Sequence, residues 1–212
     1  MEPAARHGCM TNDKVSDQRP VQGRPSEDAE LVARARDGDV GAFEELVTRY
    51  QGIAFRVAWL VVRSRGDAED AVQDAFVKAY YAMPRFRPGA PFRPWVLRIV
   101  ANEARNRGRS SRRRVGLTLR LAATDTAHAA PSPEVAVLDR ADAEALVAAL
   151  DRLPERDRLV VAYRYLFEMS EAETAEALDV RPGTVKSRLS RALVRLRTEL
   201  VSTAALAEVE EP

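Results

Sequence analysis

Arg181-Pro182-Gly183-Thr184-Val185-Lys186-Ser187-Arg188-Leu189-Ser190-Arg191-Ala192-Leu193-Val194-Arg195-Leu196-Arg197 carries six Lys/Arg and no Asp/Glu in 17 residues. Val185, Leu189, Leu193, Leu196 and Leu200 recur every three or four positions, the period of a helix with one buried stripe. Thr184, Ser187, Arg188, Arg191 and Arg195 fall on the opposite side. Ahead of this helix, Ser170 and Glu173 form a capping box that opens a short helix to Leu178. Asp179-Val180-Arg181 is then the turn, and Pro182 suits the first position of the helix that follows. Short capped helix, tight turn and basic helix make a helix-turn-helix, whose second helix enters the major groove with its N-terminal residues deepest. Arg pairs bidentately with guanine, and Ser and Thr read base edges or phosphates. This reading assigns Thr184, Lys186, Ser187, Arg188, Ser190 and Arg191 to DNA, with Arg195 and Arg197 at its backbone. A solvated face of a helical bundle is the plain alternative.

Charge distribution favours the nucleic-acid reading. The 212 residues carry a formal net charge of only +1, with 33 Lys/Arg and 32 Asp/Glu. Residues 93–120 nevertheless hold nine bases and one acid. With the 181–197 stretch they account for 15 of the bases and one acid, leaving 18 bases and 31 acids elsewhere. Two basic patches on an otherwise acidic chain are an electrostatic footprint for a polyanion.

Other classes are poorly supported. Cys9 is alone, so no internal disulfide forms and no oxidising compartment is indicated. His7 and Cys9 are too few for a structural zinc site. His128 lies far away in sequence, so no nucleophile–base pair and no metal cluster is legible. Neither a catalytic residue nor a cofactor is expected. The first 25 residues lack the apolar segment of a signal peptide. The most apolar run, Gly52 to Val62, is too short for a membrane span and contains Arg56. The expectation is a cytoplasmic protein without membrane insertion.

The pattern is all-α, with two small helical domains joined by a flexible linker and no strand periodicity. Residues 1–25 read as a disordered leader within which Met10 is a second candidate start. The first domain spans 26–107. Ser26 caps a helix to about Arg36, and Asp37-Gly38-Asp39 stops it. A second helix runs from about Val40 to Arg63. A third is expected to start at Asp67, with Ala71, Val72, Ala75, Phe76, Ala79 and Tyr80 buried. After Pro84 and a Pro/Gly loop, Pro94 opens a fourth, with Trp95, Leu97, Ile99 and Val100 inward. Residues 108–137 read as the linker, basic at first (Arg109, Arg112, Arg113, Arg114) and then small-residue and Pro-bearing. The second domain covers 138–200: one helix with Leu138, Ala141, Ala145, Leu146, Ala149 and Leu150 inward, another after Leu153-Pro154 with Leu159, Val160, Ala162, Tyr163 and Leu166 inward, then the helix-turn-helix. Residues 201–212 form a short acidic tail.

The residues then become recognisable. Pro182-Gly183-Thr184-Val185-Lys186-Ser187-Arg188-Leu189-x-Arg191-Ala192, after Leu153-Pro154-Glu155, resembles the upstream-element reader of extracytoplasmic-function (ECF) sigma factors of RNA polymerase. Gly38-Asp39…Ala42-Phe43-x-x-Leu46, Ala68-Glu69-Asp70-Ala71-Val72-Gln73-Asp74-Ala75-Phe76 and Phe92-x-x-Trp95-x-x-x-Ile99-x-x-Asn102 resemble that family's polymerase-binding and downstream-element domain. The resemblance covers about 27–107 and 142–200. It implies promoter-specific transcription initiation, by reading −35 and −10 elements, with core RNA polymerase (the clamp coiled coil of its largest subunit, and its flap) and promoter DNA as partners. It also implies an anti-sigma factor as a further partner of the kind the family often uses. Asp70, Gln73 and Asp74 match the clamp-docking segment. Asn102 and Asn106 match residues that read an unstacked base of the downstream element, with Arg105, Arg107 and Arg109 at its phosphates. Arg181 departs from the pattern, standing where a capping Ser or Thr is frequent. The alternative is a helix-turn-helix repressor or activator that works without core polymerase; the Glu69–Phe76 and Trp95–Asn102 motifs argue against it.

Overall fold

The computed structural model describes the backbone of residues 25–118 and 140–207. Side chains are described for 28–111 and 145–201. Expectations for the leader, for the second half of the linker, for Leu138, Ala141 and His128, and for the last five residues lie outside these ranges.

Eight α-helices and two short helical turns follow one another, and no strand occurs among the described residues. The first bundle comprises α1 (Pro25–Arg36), α2 (Val40–Val62), α3 (Arg65–Ala82) and α4 (Phe92–Thr118). Asp39 sits in extended backbone and its carboxylate accepts from the Ala42 N–H at 3.1 Å, so the residue expected to stop α1 also caps α2. Leu46, Tyr50, Ile53, Ala54 and Val57 then form the buried stripe the periodicity predicts. Helix α3 begins earlier than expected. Ser64, not Asp67, is its N-cap, and the Ser64 hydroxyl accepts from the Asp67 N–H. Asp67 becomes a first-turn acid, where it meets the positive end of the helix dipole. Ala68, Ala71, Ala75, Phe76 and Ala79 are buried, whereas Tyr80 is 39% exposed. The small residues let α3 lie close on its neighbours.

Helix α4 differs at both ends. It starts at Phe92, which makes Pro94 its third residue, still within the turn that has no N–H partner to lose. Phe92, Val96, Leu97, Val100, Ala101 and Ala104 are among its buried apolar residues, with Trp95 and Ile99 half-buried. The irregular segment expected from residue 108 is helical as far as Thr118. Phe86, Phe92 and Trp95 pack on one another with centroids 4.6–6.1 Å apart. Phe86 and Phe92 are buried in the core.

The second bundle holds α5 (Arg140–Arg152), α6 (Glu155–Val161), α7 (Glu171–Leu178) and α8 (Pro182–Ala207). A π-turn at Ala162–Leu166 extends α6, closed by the Phe167 N–H donating to the Ala162 carbonyl five residues back. The extra residue in this turn shifts the register. Leu166, expected inward, is 51% exposed, and Phe167 is buried in its place. The Ser170–Glu173 capping box forms in full. Asp179, left-handed at φ 54°, ends α7.

The bundles are not held apart. Leu159, Ala162, Tyr163, Phe167, Met169 and Ala177 of the second belong to the same buried cluster as the core of the first. Among the described residues, polar contacts and a cation–π contact cross this seam. Arg63 donates to Asp151 and Arg93 to the Phe167 carbonyl. Arg105 donates to Glu155 at 2.8 Å, and Arg98 lies 3.6 Å from Asp179. The Arg56 guanidinium stands 5.7 Å from the Phe167 ring centroid. A second cluster (Leu150, Leu153, Val160, Val161, Val185, Ala192 and Leu196 among its members) holds α5, α6 and α8 together.

Candidate nucleic-acid interface

Helix α8 turns Val185, Ala192 and Leu196 inward and half-buries Leu189, Leu193 and Leu200. Its other face presents Lys186, Ser187, Ser190, Arg191 and Arg197 to solvent, with Thr184 and Arg188 half-exposed at its edge. The Ser187 hydroxyl donates to the Thr184 carbonyl at 3.2 Å, and Arg191 Nε donates to the Ser187 carbonyl at 3.1 Å. These local bonds lay the Arg191 side chain along the helix and leave its terminal nitrogens outward. Arg195 departs from the set. Its guanidinium pairs with Asp157, whose side chain is only 9% exposed, and so ties α8 to α6. Its charge is spent on a nearly buried carboxylate, a structural task.

The second group sits on α4. Asn102, Arg105, Asn106 and Arg109 are spaced by three, one and three residues and share a face. Arg105 Nη1 donates to Asn102 Oδ1 at 2.9 Å, and Arg109 Nη2 donates to Asn106 Oδ1 at 2.8 Å. Each Asn carbonyl thereby faces an Arg and each amide nitrogen is turned away from it, a donor available to a base edge. Arg107 does not belong here. Two positions from both Arg105 and Arg109, it points the other way, toward α3. Nη1 donates to Asp70 at 2.6 Å; Nη2 and Nε donate to Asp74 at 2.7 and 3.2 Å. The hydrogen bond to Asp74 raises the Arg107 pKa above its ordinary value. Beside this fork Lys78 pairs with Glu103 at 2.6 Å, a parallel bridge between the same two helices.

Of the segment expected to dock on polymerase, Asp70 and Gln73 are exposed and Asp74 is half-buried. The sequence reading passed over their neighbours: Val77 and Tyr81, 51% and 75% exposed, continue the Asp70–Asp74 stripe at helical spacing. Their signal is the exposed apolar side chain itself, invisible until burial is known. Also missed was the cleft of about 700 Å³ where the bundles meet, lined by Arg105, Pro154, Glu155, Arg156, Leu178, Val180 and Arg188. It brings one residue from each basic group to a single opening. No group of acids, His or Cys that could hold a metal occurs among the described residues.

Residues 46–114 match the family Sigma-70 region 2, and residues 143–196 match Sigma-70, region 4. The chain is 35% identical over 175 residues to the ECF RNA polymerase sigma-E factor of Haemophilus influenzae, covering 78% of this chain and 90% of the relative. The chain belongs to the ECF RNA polymerase sigma factors. It is also 38% identical over 175 residues to the ECF RNA polymerase sigma factor SigM of Mycobacterium tuberculosis, covering 80% of this chain and 82% of the relative. Among solved structures it resembles the sigma factor RpoE of Bartonella quintana, solved with the anti-sigma factor NepR, at 25% identity and a TM-score of 0.63 over 76% of this chain and 98% of that one. It also resembles CnrH, solved with the cytosolic domain of CnrY, at 26% identity and a TM-score of 0.59 over 87% of this chain and 99% of that one. As an ECF sigma factor it directs promoter-specific transcription initiation with core RNA polymerase and promoter DNA as partners. Sigma factors are regulatory, non-catalytic proteins. No described helix is long and apolar enough to cross a membrane.

Proposed function

We propose that this sigma factor works in the cytoplasm, without catalysis of its own, as a two-point promoter gauge. The first bundle reads the downstream element through Asn102 and Asn106, with Arg105 and Arg109 at its phosphates. Helix α8 reads the upstream element through Thr184, Lys186, Ser187, Arg188, Ser190 and Arg191. Asp70, Gln73 and Asp74 dock on the clamp coiled coil of core polymerase, and the second bundle meets its flap. The observation that carries this reading is the pairing of two exposed Asn–Arg couples on α4 with an exposed basic, hydroxyl-bearing face on α8, one in each bundle. Bidentate and amide contacts of these kinds discriminate bases by about 1–3 kcal/mol each.

The closed seam is the resting form in this proposal. The two promoter elements lie some 25 base pairs apart, roughly 85 Å of duplex at about 3.4 Å per step. Arg105 and Arg188 line one cleft of about 700 Å³. Both groups therefore engage a promoter only after the bundles separate. The similarity to RpoE of Bartonella quintana, solved with the anti-sigma factor NepR, supports a partner of that class for this chain as well.

The test is promoter selection from a random library by polymerase reconstituted with the wild type, Arg188→Ala or Asn102→Ala. The reading expects Arg188→Ala to relax sequence preference only in the upstream element and Asn102→Ala only in the downstream one. Uniform loss over all sequences would assign both to the backbone.

A further inference from the structure

Arg107 was expected on DNA, yet it holds the two carboxylates of the proposed docking helix. The fork spans 33 and 37 positions of sequence and joins α4 to α3. All three groups stay accessible: the side chains are 28% exposed for Arg107, 56% for Asp70 and 47% for Asp74. Charges this accessible are screened by salt and open to exchange with competing cations. A surface that takes two carboxylates is basic by complementarity, so its cations compete with Arg107 for the same oxygens. Two residues away along α4, Arg105 and Arg109 flank the Asn couples on the DNA-reading face. A guanidinium released from α3 is then a free cation at the edge of the downstream-element site.

We propose that Arg107 is an exchangeable internal counter-ion that couples polymerase docking to downstream-element binding. In the free protein it partly neutralises Asp70 and Asp74. Docking replaces it with cations of the polymerase, and the freed guanidinium goes to a DNA phosphate. The docking face and the DNA face thereby share one charge. Each binding event favours the other, because a ligand shifts an equilibrium by its differential affinity for the two states. The proposal rests on the docking role of Asp70 and Asp74, so its test includes that role as a separate arm.

The full-length protein is measured in two assays: equilibrium affinity for core RNA polymerase over a salt series, and retention of promoter DNA by the reconstituted holoenzyme over the same series. Arg107→Gln is expected to bind core three- to tenfold more tightly at low salt, because the acids lose their internal competitor, with the gain fading as salt rises. The same variant is expected to release promoter DNA faster, with a log–log salt slope smaller by about one. Arg107→Lys keeps the charge but cannot fork two carboxylates, and is expected to fall between the two in core affinity. Weaker core binding by Arg107→Gln would make the residue a structural brace and overturn the proposal. Unchanged core binding with weaker DNA retention would make it an ordinary phosphate contact and overturn it equally. Asp70→Asn/Asp74→Asn tests the docking role alone: unchanged core affinity in that variant sinks the underlying reading, whatever Arg107 does.

Discussion

Arg105 of the first bundle donates through Nε to Glu155 of the second at 2.8 Å while its Nη1 holds Asn102 at 2.9 Å. One guanidinium thus serves both the seam and the group proposed to read DNA. As long as Glu155 holds it, a phosphate competes with a carboxylate for the same donors. Charge reversal at the seam tests this competition. Glu155→Arg/Asp151→Arg sets like charges against Arg105 and Arg63. We expect the radius of gyration from X-ray scattering to rise by several ångströms and free promoter DNA to bind more tightly than with the wild type. An unchanged radius with unchanged DNA affinity would mean that these contacts do not hold the bundles together.

Tyr163 is fully buried in the seam, and its hydroxyl finds no partner among the described residues. Burial raises its pKa, so the group stays neutral at any physiological pH. An unpaired buried hydroxyl costs about 1–3 kcal/mol, and opening the seam lets water reach it. Tyr163→Phe is expected to leave the fold intact, raise the urea midpoint, and weaken free-DNA binding by favouring the closed form. A lowered midpoint would reveal a hydrogen bond at this hydroxyl.

Arg195 and Arg188 separate structural from reading roles on one helix. Arg195→Ala strips the partner from Asp157 and is expected to destabilise the second bundle by about 1–3 kcal/mol. Arg188 has no such partner among the described residues, so Arg188→Ala is expected to leave the denaturation midpoint within about 0.5 kcal/mol of wild type. Chemical denaturation of both variants checks the contrast. Equal midpoints would return Arg195 to the DNA-facing set.

Ser170→Ala removes one half of a capping box in which both backbone N–H groups are satisfied. The expected cost is about 1 kcal/mol. Hydrogen exchange should report it first in α7, whose eight residues have little helical stability of their own.

The helix-turn-helix was legible because each of its parts has a local signature: a capping box, a turn, Pro at the first helical position and an apolar stripe. The Asn102–Asn106 group was legible only through the family resemblance, which is why its role on DNA is a proposal. Three things were not. The start of α3 was misplaced because Ser64 and Asp67 are both good caps, and their choice depends on backbone geometry that one sequence does not display. Leu166 was read as core because the apolar period assumes 3.6 residues per turn, which the π-turn breaks. The acid partners of Arg107 and Arg195, both read as DNA contacts, were hidden because a basic residue beside a DNA-reading helix looks the same whether or not an acid from another helix has claimed it. Asp74 and Asp157 lie 33 and 38 positions away, and only the fold brings them near. The seam itself had no sequence signal, since Phe167, Met169 and Ala177 look like core residues of their own bundle.

In the proposed function the two basic groups act together on one promoter through core polymerase. The most direct measurement is transcription from a random promoter library by core RNA polymerase reconstituted with the full-length protein, with the transcribed sequences read out. Two elements are expected to be enriched at a fixed separation, neither sufficing alone, and the protein without core is expected to bind the same DNA weakly. Tight duplex binding by the free protein, with no promoter-specific initiation on adding core, would contradict it.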